Sequence, residues 1–261
     1  MAGRQTALIT GASSGIGLDL ARLFARDRYD LVLVARSEAK LREIAAELQK
    51  ECNITATVIV ADLAQPDAPR RIAGELRAKA IAIDALVNNA GYGLAGPFVE
   101  TDLQRELDMI QVNVVALTHL TKLAVREMVA RRSGKILNVA STAAFQPGPL
   151  MAVYYATKAY VLGFSEALAD ELRDSGVTVT TLCPGPTETG FASAADMESS
   201  RLFRMVRPAS SADVARAGYE GMKRGRRIVI PGIRNKLLVQ SLRISPRRLV
   251  TALVRKMQER A

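Results

Sequence analysis

Residues 6–28, TALITGASSGIGLDLARLFARDR, join a short apolar run to an amphipathic segment through a glycine-rich turn. The run TALIT predicts a strand, and the apolar residues that follow the turn recur at helical spacing. Gly11, Gly15 and Gly17 let the backbone turn tightly, and the helix that follows offers free N–H groups to a phosphate. The spacing differs from G-x-G-x-x-G, so a pyrophosphate site and a turn without a ligand both remain open.

The same alternation of strand and helix continues along the chain. Further strands are predicted at residues 31–35, 56–61, 85–90, 135–140, 177–182 and 227–230, and helices at about 66–79, 101–131 and 152–174. Strands that are apolar throughout belong in a parallel sheet covered on both faces, and this alternation gives a doubly wound sheet. The sequence therefore predicts a single α/β domain, with about seven parallel strands between two layers of helices.

Composition excludes several classes of protein. Of the 261 residues 49% are apolar, enough for one core, and Cys52 and Cys183 have neither disulfide nor metal-site spacing. The single histidine, His119, excludes a multi-histidine metal site, so no metal is predicted. The N-terminus has no signal-peptide pattern, and no apolar run approaches the roughly 18 residues that span a bilayer. We expect a cytoplasmic protein, or one peripheral to a membrane.

The residue after the second strand bears on cofactor choice. An acidic residue some 20 positions past the glycines would bind a free adenosine ribose hydroxyl. The sequence here is VARS, with Arg36 and no acid. A guanidinium could pair with a 2′-phosphate, which favours NADP(H) over NAD(H), and the alternative is an ordinary surface arginine.

A tyrosine and a lysine stand four positions apart in VYYATKAY, residues 153–160. On a helix Tyr154 and Lys158 share one face, whereas Tyr155 has alanine at the matching position. Spacing alone leaves two interpretations open, a catalytic pair and a half-buried helix with aromatic packing.

Five motifs in register resemble the short-chain dehydrogenase/reductase family. They are TGASSGIG (10–17), NNAG (88–91), Ser141 thirteen places before Tyr154, YYATK (154–158) and PGPTET (184–189). The resemblance covers roughly residues 4–230 and implies a Rossmann-type fold with three layers. It also implies an NADP(H)-dependent oxidoreductase that acts on a carbonyl or a secondary alcohol.

The resemblance assigns site residues position by position. The implied catalytic residues are Asn113, Ser141, Tyr154 and Lys158, with Asn113 matching the asparagine that holds a proton-relay water. Tyr155 is then expected to pack elsewhere. The implied cofactor-binding residues, besides Tyr154 and Lys158, are Gly11, Ser13, Ser14, Gly15, Ile16, Gly17, Arg36, Asp62, Leu63, Asn89, Ala90, Gly91, Pro184, Gly185, Thr187 and Thr189.

Elementary electrostatics agrees with these roles. A free tyrosine has a pKa of about 10, and a neighbouring ammonium favours the phenolate. We therefore expect Lys158 to lower the pKa of Tyr154. In reduction Tyr154 would donate a proton to the carbonyl oxygen, and Ser141 would supply a second hydrogen bond to it.

The C-terminal quarter is strongly basic. Residues 201–261 hold sixteen Lys or Arg and three acids, a net charge of +13 against +10 for the whole chain, so residues 1–200 carry −3. We expect a catalytic domain over 1–233, with a lid near 186–210, and a basic amphipathic extension over 234–261. Its apolar stripe is Leu249, Val250, Leu253, Val254 and Met257.

Three partners remain open for this extension: the chain's own active site, another subunit of a homodimer or homotetramer, or an anionic membrane. Nucleic acid is not expected, because no aromatic residues accompany the arginines. The family resemblance implies oligomers formed through the helices at about 101–131 and 152–174.

The substrate is expected to be apolar, such as a ketone, an acyl chain or a steroid-like compound. This expectation rests on two apolar segments, Phe145 with Pro149–Met151 and a lid containing Phe191, Met197, Leu202 and Phe203. The competing hypothesis is an NADP(H)-binding regulator or scaffold with little turnover.

Overall fold

The computed structural model describes residues 4–190 and 208–259, and its main feature is a seven-stranded parallel sheet. The strands are β1 (Thr6–Thr10), β2 (Asp30–Ala35), β3 (Ala56–Val60), β4 (Ala85–Asn88), β5 (Gly134–Val139), β6 (Val177–Leu182), β7 (Thr187–Glu188), β8 (Ala209–Ser210) and β9 (Ile228–Val229). Their order in the sheet is β3-β2-β1-β4-β5-β6-β9, while β7 and β8 pair separately. The predicted strands and the parallel fold are thus confirmed.

Helices connect and cover these strands. In the described residues they are α1 (Gly15–Arg26), α2 (Glu38–Cys52), α3 (Ala68–Ala78), α4 (Leu103–Ile110), α5 (Leu117–Ala130), α6 (Ala152–Glu171), α7 (Ser211–Lys223), α8 (Ile233–Leu242) and α9 (Arg247–Gln258). The uninterrupted helix expected over 101–131 is wrong in detail, because a π-helical segment, Gln111–Ala116, separates α4 from α5.

The core lies in two layers, one on each face of the sheet. Alternate strand residues supply the two layers, since successive side chains point to opposite faces. Ala7 and Ile9 pack with Phe24 of α1 and Val214 of α7. Leu8 packs on the other face, in a cluster built from α3, the π-helical segment, α5 and α6. The predicted three-layer arrangement follows from this alternation.

The position of the site follows from the strand order. The chain leaves β1 towards β2 on one side and returns to β4 on the other, so a crevice opens between the carboxyl ends of β1 and β4. Ligands bind at such a switch point in open parallel sheets. The glycine turn follows β1 and Asn89 follows β4, so both lie at this crevice.

The predicted lid near 186–210 lies mostly outside the described residues, and so do Phe191, Met197, Leu202 and Phe203. Its two described ends are β7 and β8, which pair in parallel. Among the described helices, none is both long enough and apolar enough to cross a membrane.

Candidate active site

The glycine turn forms one end of the cleft. Gly11 and Gly15 adopt φ values of 64° and 53°, a left-handed conformation that favours glycine. A Cβ at Gly11 would lie 2.8 Å from Asn89 Nδ2. Ser14 precedes α1 without accepting a side-chain capping bond from it, so the first N–H groups of α1 stay available to a ligand. Ser13, Ser14, Gly15 and Ile16 all line the cleft.

Asn89 and Thr10 lock the ends of β4 and β1 together. Asn89 Nδ2 donates to the Thr10 carbonyl at 2.9 Å. The Thr10 hydroxyl accepts from the backbone N–H groups of Asn89 and Ala90, each at 3.0 Å. A Cβ at Gly17 would overlap the Gly11 carbonyl oxygen. Gly17 therefore serves the close packing of the turn, and it is not on the cleft wall.

Three cationic side chains also line the cleft. Arg36, a predicted cofactor-binding residue, is one of them, and the other two are Lys40 and Arg105, which sequence reasoning missed. Arg36 and Lys40 are exposed, and neither makes an ion pair or side-chain hydrogen bond among the described residues. Asp62 accepts from the N–H of Ala64 at 3.0 Å, which shapes the turn after β3.

Ser141, Tyr154 and Lys158 meet at the opposite end. Helix α6 carries Tyr154 and Lys158, which are 8% and 6% exposed, and Ser141 follows β5. Lys158 Nζ donates to the Val139 carbonyl at 3.0 Å and lies 5.8 Å from the centroid of the Tyr154 ring. The Ser141 hydroxyl accepts from the Ala143 N–H at 3.1 Å. These three residues are separated in the sequence but lie close together in the fold.

Burial dominates the ionisation of this group. It raises the pKa of Tyr154 well above its ordinary value, although a hydrogen bond with Ser141 opposes the rise. Burial lowers the pKa of Lys158 to about 8. The expectation that Lys158 lowers the pKa of Tyr154 is therefore wrong for the protein alone. Burial of the phenolate raises this pKa by more than the neighbouring groups lower it.

Asn113 lies behind the cleft wall in the π-helical segment. Its Nδ2 donates to the Tyr92 carbonyl and to the Thr157 hydroxyl, each at 3.0 Å. Its Oδ1 accepts from the Tyr92 N–H at 3.2 Å. A Cβ at Gly91 would lie 2.9 Å from this Oδ1 and 3.4 Å from Lys158 Nζ. Asn113 therefore holds the chain after β4 against the helix that carries Lys158.

Helices α8 and α9 close the side of the cleft near Tyr154. Val254, Met257 and Gln258 of α9 line it. Gln258 Nε2 donates to the Tyr155 hydroxyl at 2.7 Å, in a buried contact between residues 103 positions apart. Tyr155 is buried in a core cluster, but the expectation that it packs elsewhere is wrong, because it lines the cleft and anchors α9. In the sequence, the apolar stripe of the C-terminal extension was the only feature that indicated this side of the cleft.

The C-terminal stripe does not act as one apolar face. Val250 and Val254 are buried, whereas Leu249 and Leu253 are 65% and 57% exposed. In the other predicted wall segment Met151 lines the cleft, but Phe145, Pro149 and Leu150 do not. Phe145 packs instead with a cluster that includes Val161 and Leu162.

The cleft joins most predicted site residues in one cavity of about 1020 Å³, at the upper end of the range for ligand cavities. Of the predicted set, Gly17, Asn113 and Pro184 are the residues that do not line it. The Pro184 carbonyl instead accepts from the Thr142 N–H at 2.8 Å, which sets the position of Ser141. Among the described residues, no cluster of His, Cys, Asp or Glu could hold a metal ion.

Known proteins resemble this chain in sequence and in fold. Residues 5–199 match a family model described as short chain dehydrogenase. A 17-beta-hydroxysteroid dehydrogenase type 3 from Mus musculus is 36% identical over 183 residues, which are 69% of this chain and 59% of that protein. A very-long-chain 3-oxoacyl-CoA reductase from Anas platyrhynchos is 35% identical over 183 residues, 68% of this chain and 58% of that protein.

The chain thus spans somewhat under two thirds of the length of these two relatives. A solved short-chain dehydrogenase from Sphingobium yanoikuyae, in complex with NADPH, superposes with a TM-score of 0.82. It is 34% identical, and the match covers 93% of this chain and 96% of that one.

Proposed function

Because the chain belongs to the short-chain dehydrogenase family, we propose that it is an NADP(H)-dependent oxidoreductase that interconverts a carbonyl and a secondary alcohol. One observation carries this proposal. Tyr154, Lys158 and Ser141 lie together at one end of a cleft whose other end is the glycine turn. A proton donor and a dinucleotide site thus share one cavity.

The residues present fit a nicotinamide dinucleotide. Gly11 and Gly15, which adopt the left-handed conformation of the turn, would hold its pyrophosphate against the start of α1. Arg36 and Lys40 are exposed cations without an anionic partner among the described residues, which suits a 2′-phosphate. When bound, the nicotinamide supplies or accepts a hydride. The protein binds and orients the cofactor and the substrate, and it transfers the proton.

The protein's own groups favour reduction of a carbonyl. Because burial raises the pKa of Tyr154, the phenol keeps its proton at neutral pH and can donate it to a carbonyl oxygen. The hydroxyl of Ser141 provides a second donor to that oxygen as its negative charge grows. The ammonium of Lys158, which is charged below about pH 8 and lies 5.8 Å from the centroid of the Tyr154 ring, would offset part of the cost of the phenolate that forms when the proton is transferred.

We propose an apolar substrate. Met151, Val254 and Met257 supply apolar surface near Tyr154. Two relatives carry names that refer to a hydroxysteroid and to a very-long-chain 3-oxoacyl-CoA, and the steroid skeleton and the long acyl chain are both apolar. A steroid-like ketone or a long 3-oxoacyl thioester is therefore the class of substrate to test first.

The test measures NADPH consumption with a panel of such ketones, in the wild type and in Tyr154→Phe. We expect the variant to lose about 10²- to 10⁴-fold in kcat, because the proton donor is removed. Tyr29→Phe is the matched control, since Tyr29 lies outside the cleft and packs edge-on against Phe24. Unchanged turnover in Tyr154→Phe would refute the assigned chemistry. NADPH binding without turnover of any ketone would favour the alternative, a regulator or scaffold.

The cofactor preference has its own test. Arg36→Gln should raise the KM for NADPH about 10- to 100-fold and leave the KM for NADH nearly unchanged, because a charge-assisted hydrogen bond contributes about 1.5–3 kcal/mol. Arg42→Gln is the control, since Arg42 pairs with Glu38 outside the cleft. Equal effects on both cofactors in Arg36→Gln would contradict a 2′-phosphate contact.

We also propose that the chain forms a cytoplasmic homodimer or homotetramer through α4, the π-helical segment, α5 and α6. This surface exposes Leu107, Val115 and Tyr160 by 48%, 43% and 40%. The Tyr160 and Thr118 hydroxyls lie 2.9 Å apart and tie α6 to α5. The test measures the molar mass of the wild type and of Val115→Lys by light scattering. A monomeric wild type would refute the proposal.

A further inference from the structure

Helices α8 and α9 have an outer face that is unusually apolar. Its side chains Ile233, Leu237, Ile244, Leu249 and Leu253 are between 57% and 88% exposed. The inner face of the same two helices supplies Leu238, Val254 and Met257 to the cleft wall. One pair of helices therefore separates the cleft from an exposed apolar surface. We call the outward-facing side chains of α8, α9 and the turn between them the C-terminal outer face.

The same outer face is cationic. Between residues 221 and 258 the sequence contains no Asp or Glu. Its exposed cations on α8, α9 and the intervening turn are Arg234, Lys236, Arg243, Arg247, Arg248, Arg255 and Lys256. None of these seven side chains forms an ion pair or a side-chain hydrogen bond within the part of the chain that the structure describes. Exposed apolar side chains and cations without an ion-pair partner among the described residues thus share the same two helices and the turn between them.

Three of the arginines lie close together. Arg247, Arg248 and Arg255 line a shallow surface depression with Thr251 and Ala252. Guanidinium groups bind phosphate oxygens in bidentate geometry, so this depression suits a phosphate headgroup. None of the residues that line this depression lines the cleft, whereas Val254 and Gln258 of the same helix do.

We propose that the C-terminal outer face docks on an anionic lipid bilayer. Leucine and isoleucine side chains would enter the boundary between headgroups and acyl chains, and the cations would lie among the lipid phosphates. The cleft wall would then rest at the membrane surface, where an apolar substrate is concentrated. Only this last consequence rests on the proposed function, because docking itself requires no turnover.

Charge argues for this occupant over two others. In a symmetric contact between two copies, each set of seven cations would face the other set, and like charges repel. A nucleic acid would complement the charge but not the five exposed aliphatic side chains, and residues 231–258 contain no aromatic side chain for stacking on bases. An anionic bilayer complements both properties.

The experiment uses the full chain and vesicles of phosphatidylcholine, with or without about 30% phosphatidylserine. Sedimentation measures the bound fraction at low and high salt. We expect at least about tenfold tighter binding to the anionic vesicles, lost at high salt, because each cation near an anionic surface contributes about fivefold. Equal or absent binding to both vesicles would overturn the proposal.

Two triple variants test the two components of the outer face. Leu237→Ser/Leu249→Ser/Leu253→Ser removes apolar surface, and Arg247→Gln/Arg248→Gln/Arg255→Gln removes charge. Each should weaken binding to anionic vesicles about tenfold or more. Because all six side chains are exposed, both variants should keep the wild-type melting temperature and the turnover of a water-soluble ketone.

Matched controls come from other surfaces of the chain. Arg70→Gln/Arg71→Gln/Arg77→Gln on α3 removes three exposed cations, and Phe98→Ser/Val99→Ser removes side chains that are 64% and 91% exposed. Neither should alter vesicle binding. If the control variants weaken binding as much as the outer-face variants, or if the outer-face variants change the oligomeric mass instead, the proposal is refuted. An inactive enzyme that still binds vesicles would refute only the proposed function.

Discussion

Lys158 offers a test of how burial controls this site. Its ammonium is buried, its hydrogen-bond acceptor is the Val139 carbonyl at 3.0 Å, and its pKa falls from 10.5 to about 8. One pKa unit corresponds to about 1.4 kcal/mol, so holding this ammonium charged in the folded protein costs about 3 kcal/mol at pH 7. Lys158→Met keeps much of the side-chain volume and removes the charge.

We expect Lys158→Met to be inactive but more stable than the cofactor-free wild type. The lost donor to Val139 costs about 1 kcal/mol, which leaves a gain of about 2 kcal/mol in the free energy of unfolding at pH 7. The gain should shrink as the pH rises. Between pH 8 and 10.5 the unfolded chain binds more protons at Lys158 than the folded chain does, so wild-type stability rises with pH in this window.

The measurement is urea unfolding of both proteins at about pH 7 and about pH 10, with the difference between them taken at each pH. Taking the difference removes the titration of all other groups. Lys122→Met is the control, because Lys122 is exposed on α5 and should show little difference at either pH. If Lys158→Met is less stable than the wild type at pH 7, or if the difference does not change with pH, the burial argument fails.

Three further changes test other parts of the structure. Gly17→Ala should lower the free energy of unfolding by about 1–3 kcal/mol, measured by urea titration, because its Cβ meets backbone atoms of the turn. Tyr155→Phe removes the acceptor of Gln258 and should raise the KM for an apolar ketone several-fold, while the KM for NADPH stays constant in steady-state kinetics. Asp27→Asn should cost less than about 1 kcal/mol, because the Asp27–Lys223 pair is partly exposed. Lys223 lowers the pKa of Asp27, so this stabilisation is complete above the unfolded pKa and disappears in acid, which unfolding at several pH values would follow.

Each of these changes has a contrasting variant or outcome. Gly74→Ala should be neutral or stabilising, because a Cβ at this helical glycine meets nothing within 4 Å. Gln258→Leu added to Tyr155→Phe should recover stability relative to Tyr155→Phe alone, since no amide is then buried without its partner. Additive effects of these two substitutions would count against the contact. A cost for Asp27→Asn that persists below the carboxyl pKa would contradict the ion pair.

Local patterns in the sequence were enough to predict the strands of the main sheet and the order of layers, whereas most residues of the candidate site were predicted from the family resemblance. Apolar runs and helical spacing report burial directly, because each element must cover its own apolar face. The glycine turn and the four-residue interval from Tyr154 to Lys158 are also local, since a turn and one helical repeat fix the geometry. Arg36 lines the cleft because it directly follows β2, which borders β1.

Other features depended on contacts between distant parts of the chain. The Gln258–Tyr155 bond and the split of the C-terminal stripe into buried and exposed residues arise only where α9 crosses the cleft. The π-helical segment lies where Asn113 bonds to Tyr92 and Thr157. The spacing of apolar residues along a helix does not indicate where the helix changes from α to π. The pKa of Tyr154 rises because the folded chain removes the phenol from water, and the degree of burial is a property of packing that spacing along the sequence cannot specify.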